Sequence, residues 1–249
     1  MSLVSIVLSS NKKENYIKKT IDSIISQTYQ ELEIIIVDDE QSFESKKILN
    51  DLKILDKRIV LIKNNKNLGA GYSRNEAIKI SNGKYIAFCD ADDLWNKSKI
   101  EKQLKFMESS NVGFSYTSYN IIDEFENIIG KRTAKSQISF NDLIKSCDIG
   151  LSTVIIEKKI IDTFKIYFPN TKTKEDYIFW LRLSKNGVEM LGLDENLSNW
   201  RKLESSLSSS VIQRIFDGYK VYRQYLKFSV IKSLIYLIVL SINRLLKDK

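Results

Sequence analysis

The stretch Tyr85-Ile-Ala-Phe-Cys-Asp-Ala-Asp-Asp93 constrains the fold of this chain more than any other. An apolar run rich in strand formers breaks abruptly into three carboxylates. Such a run predicts a strand buried on both faces of a parallel sheet. Open parallel sheets present the carboxyl ends of their strands to ligands, which puts Asp90, Asp92 and Asp93 on the rim of a crevice. Like charges this close repel, and each loses hydration on burial. A hard cation relieves both problems, because Mg2+ takes one or two carboxylates and fills its shell with water and phosphate oxygens. A strand followed by an acidic turn fits the same residues, so the fragment alone leaves both readings open.

The neighbouring segments repeat the pattern. Leu3–Leu8, Ile34–Val37 and Ile59–Ile62 read as further buried strands, and Asp38-Asp39 stand at the carboxyl end of the second. A helix is expected from about Asn15 to Thr28, with Ile17, Ile21, Ile24 and Ile25 on one face. A polar, partly helical segment runs from Ser42 to about Leu55. Asn64 to Gly71 reads as a loop in which Gly69 and Gly71 supply backbone freedom, and a helix through Arg74 to Ser81 ends at an Asn82-Gly83 cap. Strands alternating with helices predict an α/β, doubly wound architecture with both aspartate clusters on one rim.

Ser98 to Glu101 has capping-box spacing and opens a helix carried on by Ile100, Leu104 and Met107. Val112–Tyr116 is another strand. From about residue 117 the pattern loosens. Short strand-like pieces (Asn120–Ile122, Asn127–Ile129) precede a helix capped by Ser139 and Asp142. Leu151–Ile156 reads as a strand, and Lys158–Phe164 and Glu175–Lys185 as helices, the second stopping at Gly187.

Composition narrows the chemistry. The chain has no histidine, which removes imidazole bases, His–Cys nucleophile pairs and His-ligated zinc. Cys89 and Cys147 lie far apart without metal-ligand spacing, as reduced core thiols of a cytosolic protein would. Residues 2–10 lack the basic lead and cleavage signature of a signal peptide, and no apolar stretch is long enough to span a bilayer. The net charge of +8 points to an anionic partner. No nucleic-acid reader module is recognisable. From Val211 onward Lys and Arg far outnumber acids, and Phe228–Leu246 is mostly Ile, Leu, Val and Tyr, interrupted by Lys232. An apolar, basic helix suits the interface of an anionic membrane. Packing on the domain or on a second subunit is the alternative.

Several of these pieces, in order, resemble the family 2 inverting glycosyltransferases of the GT-A fold. They are Val4–Leu8, Ser26-Gln-Thr-Tyr29, Leu32-Glu-Ile-Ile-Ile-Val-Asp-Asp39, Asn67-Leu-Gly-Ala-Gly-Tyr-Ser-Arg-Asn75 and Gly83–Asp93. Gly150-Leu-Ser-Thr-Val-Ile-Ile156 and Lys174-Glu-Asp-Tyr-Ile-Phe-Trp-Leu-Arg182 continue the series. Any one piece is weak; the ordered set, over about residues 2–205, is strong. The resemblance implies a Rossmann-like mixed sheet with residues 1–115 as the nucleotide-sugar half and 116–210 as the acceptor half. Residues 211–249 would be a C-terminal helical, membrane-associating tail, holding the protein in the cytoplasm at the inner face of the membrane. The oligomeric state stays open.

The resemblance also implies roles. The donor would be a nucleoside-diphosphate sugar, UDP-linked, and the acceptor a glycan, lipid-linked, in surface polysaccharide or glycoprotein assembly. Asp39 would accept from the base and Ser9 would meet the nucleoside or phosphates. Arg74 would face the diphosphate, where its fork of donors suits phosphate oxygens. Asp92 would contact Mg2+ or Mn2+ directly, and Asp90 the ribose or a metal-bound water, while Asp93 caps the next turn. Asp176 would be the catalytic base at a helix N-terminus that favours an ionised carboxylate. Glu175 and Ser152 (with Thr153) would touch donor sugar or acceptor, and Trp180 would floor the acceptor site.

Asn199–Ser208 resembles the family's late arginine loop, with Arg201 as a diphosphate contact. It lacks the Gln-x-x-Arg-Trp signature of processive synthases, so one sugar is expected per encounter. Two departures stand out. Asn11 and Lys12 replace a tyrosine that stacks on the base in many relatives, and no histidine exists to help hold a metal. A sugar nucleotidyltransferase would need a Gly-rich, Arg-containing loop after the first strand, where this chain reads Ser9-Ser-Asn-Lys-Lys13. A non-catalytic carbohydrate-binding or scaffold protein of the same fold would be expected to have lost its acids, and these remain.

Overall fold

In the computed structural model, which describes residues 1–40, 42–203 and 211–247, β1 (Val4–Ser10) runs parallel between β2 (Leu32–Asp38) and β4 (Tyr85–Phe88). Strand β3 (Ile59–Lys63) lies parallel outside β2. Along these strands side chains alternate between two cores. Val4, Ile6, Leu8, Tyr85, Ala87 and Cys89 pack on one face; Val7, Ile35, Val37, Ile86 and Phe88 pack on the other. Both faces being apolar is what the continuous Ile/Val runs require.

Helices α1 (Ile17–Ile25), α2 (Phe43–Leu55) and α4 (Lys99–Ser109) cover the first face through Ile17, Ile21, Ile24, Leu49, Leu52, Ile100, Leu104 and Met107. The opposite face carries α3 (Ala70–Ile80), α5 (Phe140–Leu143), α6 (Lys158–Phe164) and α7 (Glu175–Lys185). The sheet continues through β8 (Ile155–Glu157), antiparallel to both β4 and β6 (Phe114–Ile122). Strand β9 (Leu191–Arg201) is parallel to β6, β5 (Leu94–Trp95) closes the far edge on β9, and β7 (Ile128–Arg132) hairpins onto β6. The order β3-β2-β1-β4-β8-β6-β9-β5 is thus the mixed, doubly wound sheet expected.

The chain ends in α8 (Val211–Lys220), a π-helical turn (Val221–Tyr225) and α9 (Val230–Lys247). Val221, Tyr222, Leu226 and Leu240 enter the second core, so the tail is part of the fold on its inner side.

Several local expectations need correction. Gly83 has ordinary φ and does not cap α3. It lies so close to β1 that a Cβ would meet Ser5 N and Oγ at 2.6 Å. The Ser98 hydroxyl does not cap α4, because it donates to Asn96 Oδ1 at 2.9 Å. Leu151–Thr153 forms a 3-10 turn before β8 rather than the start of a long strand. Gly69 (φ 89°) and Gly187 (φ 81°) do occupy left-handed backbone, and Ser139 with Asp142 forms a full capping box. Gly71, by contrast, sits inside α3, where a Cβ would meet Pro169 O at 2.7 Å. Its missing side chain lets the segment leading to α7 approach.

Candidate active site

The carboxyl ends of β2 and β4 and the N-terminal end of α7 are tied together by α3. Asp39 is buried after β2 and accepts from Asn64 Nδ2 (2.7 Å), Leu68 N (2.8 Å) and Gly69 N (2.8 Å), which fixes the turn that starts α3. One turn along, Arg74 is 4% exposed and forks. Its Nη2 donates to Asp90 Oδ1 and its Nη1 to Glu175 Oε1, each at 2.7 Å, with the guanidinium 5.5 Å from the Phe168 ring centroid. Nε of Arg74 meets no partner among the described residues. Asn75 secures the approach of α7 by pairing its amide with both Phe168 O (2.9 Å) and Phe168 N (3.0 Å).

Asp176 follows Glu175 in the first turn of α7, after Lys174 in left-handed backbone at φ 66°. It is partly buried, and Tyr177 N donates to its Oδ1 at 2.7 Å. Loss of solvent, and then the neighbouring charge of Glu175, push its carboxyl up to about 6, while Lys174, that backbone hydrogen bond and Arg74 pull the other way. A carboxylate that takes a proton near neutral pH is suited to general-base work.

The three aspartates after β4 diverge. Asp90 is held by Arg74. Asp92 pairs with Lys13 from the β1–α1 connection, a residue that sequence reasoning missed. Burial raises Asp92 above the usual carboxylate range, Lys13 opposes the rise, and Asp90 adds to it. Asp93 is buried and does not cap the following turn. It accepts from Ser152 Oγ (2.5 Å) and from Arg201 N (2.8 Å). Burial first, then the charges of Asp92 and Asp90, hold it well above its ordinary value.

Some candidate residues lie away from any open surface. Trp180 is fully buried among Phe88, Phe114, Phe168 and Phe179, so it cannot floor an acceptor site; its α7 face points into the core. Ser152 is a buried hub: besides Asp93 it receives Asp90 N (2.9 Å) on its hydroxyl and Trp95 Nε1 (2.9 Å) on its carbonyl. Thr153 is buried beside it.

Arg201 is 3% exposed, with its donors spent on Asp92 O (2.9 Å), Asp123 O (3.3 Å), Glu124 O (3.2 Å) and Glu126 Oε1 (3.3 Å). In this conformation it clamps the β6–β7 turn to the aspartate strand, over the ring of Tyr16 (4.9 Å). The rest of its loop, 204–208, lies outside the described residues. Ser9 is half-buried at the carboxyl end of β1.

These acids fit a divalent cation by the chemistry of the donor set: Asp90 and Asp92 offer hard carboxylate oxygens just past β4, and the Asp90 side chain keeps 33% of its surface open. Among the described residues no three His, Cys, Asp or Glu side chains converge into a ready-made cage. A hard cation here would therefore take one or two carboxylates and complete its shell with phosphate and water. A hollow of about 290 Å³ lined by Leu94, Asn96, Asn120 and Asn199 opens beyond Asp93, and none of the site acids lines it.

Comparison with known proteins bears on this arrangement. The sequence pattern of Glycosyl transferase family 2 matches residues 5–166. The Escherichia coli UDP-Glc:alpha-D-GlcNAc-diphosphoundecaprenol beta-1,3-glucosyltransferase WfgD is 35% identical over 214 residues, 86% of this chain and 82% of that one. Among solved structures, S. aureus TarS 1–349 in complex with UDP-GlcNAc superposes with a TM-score of 0.75 at 21% identity, over 94% of this chain and 70% of that one. The mannosyltransferase PcManGT from Pyrobaculum calidifontis, in complex with GDP-Man and Mn2+, gives 0.71 at 13% identity, over 95% and 70%.

Proposed function

We propose that this chain, which belongs to glycosyl transferase family 2, moves one sugar from a UDP-sugar onto a lipid-linked glycan, with inversion and with Asp176 as the base. The observation that carries this reading is the placing of α7: Arg74 holds Glu175 and Asp90 on one guanidinium, which brings a carboxylate of raised proton affinity to the acid rim of β4. WfgD, by its name, takes its glucose from UDP-Glc and places it on an undecaprenol-linked GlcNAc.

In a single displacement the acceptor oxygen bonds to the anomeric carbon as the bond from that carbon to the diphosphate breaks. Asp176 takes the hydroxyl proton, a contribution of typically 10²–10⁴-fold. Asp39 anchors the loop beside which the nucleoside would lie, and Lys13 and Arg74 supply positive charge on the diphosphate side. Asp92, with Asp90, would hold Mg2+ or Mn2+, which neutralises the charge gathering on the leaving diphosphate. Residues 1–115 would thus form the donor half and 116–210 the acceptor half.

The test is UDP release from UDP-glucose and UDP-GlcNAc, with and without a synthetic GlcNAc-diphospho-lipid, in Mn2+ and in EDTA. Acceptor-stimulated release that EDTA abolishes is the expected outcome. Because the protein offers few ligands of its own, Mn2+ binding followed by electron paramagnetic resonance should tighten at least tenfold when UDP is added. Metal-independent release equal with and without acceptor would sink the reading.

The tail gives the localisation part of the proposal. Eight of its residues are Lys or Arg and two are Asp, which makes it the source of most of the net charge of +8. No helix of the described residues is long and apolar enough to cross a membrane. Yet the outer side of α9 exposes Ile231, Ile235, Ile238, Ile242 and Leu245, and α8 exposes Ile212 and Phe216. An apolar stripe with basic flanks suits the surface of an anionic bilayer.

Cutting the tail off would damage the core it helps to form, so the cleaner probe is Ile235→Asp with Ile238→Asp. The intact chain should co-sediment with phosphatidylglycerol vesicles but not with phosphatidylcholine, and the variant should lose most of that binding. A chain that ignores both vesicles and dimerises through this face would refute the membrane assignment.

A further inference from the structure

The tail does more than cover the second core. Asp217, on α8, is 5% exposed and points at the turn that precedes α7. Its Oδ2 accepts from Thr173 Oγ1 at 2.5 Å and from Gln213 Nε2 at 2.8 Å, and Lys220 Nζ lies 3.5 Å from Oδ1. Burial alone would raise this carboxyl, but the bonds from Thr173 and Gln213 and the charge of Lys220 leave it below the ordinary value, so it is an ionised acceptor. Thr173 immediately precedes Lys174, the left-handed residue that turns the chain into Glu175 and Asp176.

A second tail contact lies just past Asp176. Tyr222, in the π-helical turn, donates to Ile144 O at 2.8 Å and sits 3.3 Å from the hydroxyl of Tyr177, which itself donates to Leu143 O at 2.6 Å. Tyr222 in turn stacks on Tyr236 of α9, centroids 5.7 Å apart. Helices α8 and α9 meet closely: a Cβ on Gly218 would come within 2.8 Å of Leu237 Cδ1. Asp176 is therefore bracketed, three residues before and one after, by side chains bonded to the tail.

We propose that the tail is a positioning element for Asp176, with Asp217 acting through Thr173 and Tyr222 through Tyr177. The segment with the exposed apolar, basic outer side thereby also sets the geometry of the base on its inner side. A charge-assisted hydrogen bond is strong and directional enough to fix a short turn. An error of about 1 Å in the placement of a reacting group can cost about 10²-fold in rate. The inference rests on Asp176 being the base, and the experiment separates the two ideas.

The full-length chain is assayed by UDP release from UDP-glucose, alone and with the GlcNAc-diphospho-lipid, in Thr173→Val, Thr173→Ser, Asp217→Ala and the Thr173→Val/Asp217→Ala pair. Thr173→Val and Asp217→Ala should each lower kcat by about 10–100-fold with donor KM unchanged within a factor of about two, as expected of a misplaced base with an intact donor site. Thr173→Ser, which keeps the donor hydroxyl, should stay near wild type. The pair should be no worse than its worse member, because both changes cut one connection. Wild-type kcat in Thr173→Val would overturn the proposal. So would a parallel loss of kcat and donor affinity, the mark of general damage to the fold. Wild-type turnover in Asp176→Asn would instead remove the base assignment itself.

Discussion

Replacing Asp176 with asparagine is expected to cut turnover by about 10²–10⁴-fold while making the folded protein more heat-stable at pH 8. Both effects come from one cause. Burial, reinforced by Glu175, lifts the Asp176 carboxyl to about 6 in the folded state, against about 3.9 for an aspartate in an unfolded chain. The raised value means that the folded state binds this proton more tightly. The stability it contributes is complete below about pH 4 and is lost as pH rises through about 6, leaving a poorly solvated charge at neutral pH.

A shift of about two units corresponds to about 3 kcal/mol, which solvent reaching this partly open group should reduce to about 1–2 kcal/mol. For a chain of this size that is a few degrees in Tm. The asparagine variant should therefore melt higher than wild type at pH 8 and level with it near pH 4. In the wild type, kcat should fall on the acid side with a midpoint near 6 as the base is protonated. Wild-type turnover, or a variant that melts lower at pH 8, would contradict the assignment.

What could be read ahead of the structure follows the range of the interaction involved. The strands β1 to β4 were legible because burial on both faces leaves only apolar residues, and the acids that end β2 and β4 break that run within one residue. The Ser139–Asp142 cap and the turn at Gly187 were legible because their partners lie within a few residues in sequence. Strand β9 was not, for it reads Leu-Gly-Leu-Asp-Glu-Asn-Leu-Ser-Asn-Trp-Arg and owes its conformation to pairing with β6, with register shifts at Thr117 and Ser118.

The same limit governs the site. The residue types along the rim were visible, but their partners were not. Asp92 meets Lys13 across 79 residues, and Asp93 meets Arg201 across 108. Trp180 lies one turn beyond Asp176 on the same side of α7, yet its indole is buried among core aromatics while the acid, in the first turn, keeps partial exposure. Spacing along a helix places a residue on a face without saying whether solvent or core lies there.

Arg74→Met should cost about 3–5 kcal/mol of stability, about 6–20 °C in Tm, and reduce activity at least 100-fold, more than any other single change on the rim except loss of the base. Two carboxylates rely on this one group: Glu175, whose side chain is 13% exposed, and Asp90, at 33%. Removing the cation leaves Glu175 poorly hydrated beside Asp176 and frees the first turn of α7 from β4. Because Asp90 retains more solvent, most of the penalty should come from Glu175. Arg74→Lys should rescue little, since one ammonium cannot fork between two carboxylates while lying against the Phe168 ring.

A second substitution makes the cause visible. Adding Glu175→Gln to Arg74→Met removes the stranded charge at nearly constant volume, so the double variant should melt several degrees above Arg74→Met alone. Its activity should stay low, because the link that carries Asp176 to the acid rim is still absent. If the two losses in Tm simply add, Arg74 and Glu175 act independently. The site would then have to be held together by something other than the guanidinium that joins β4 to α7.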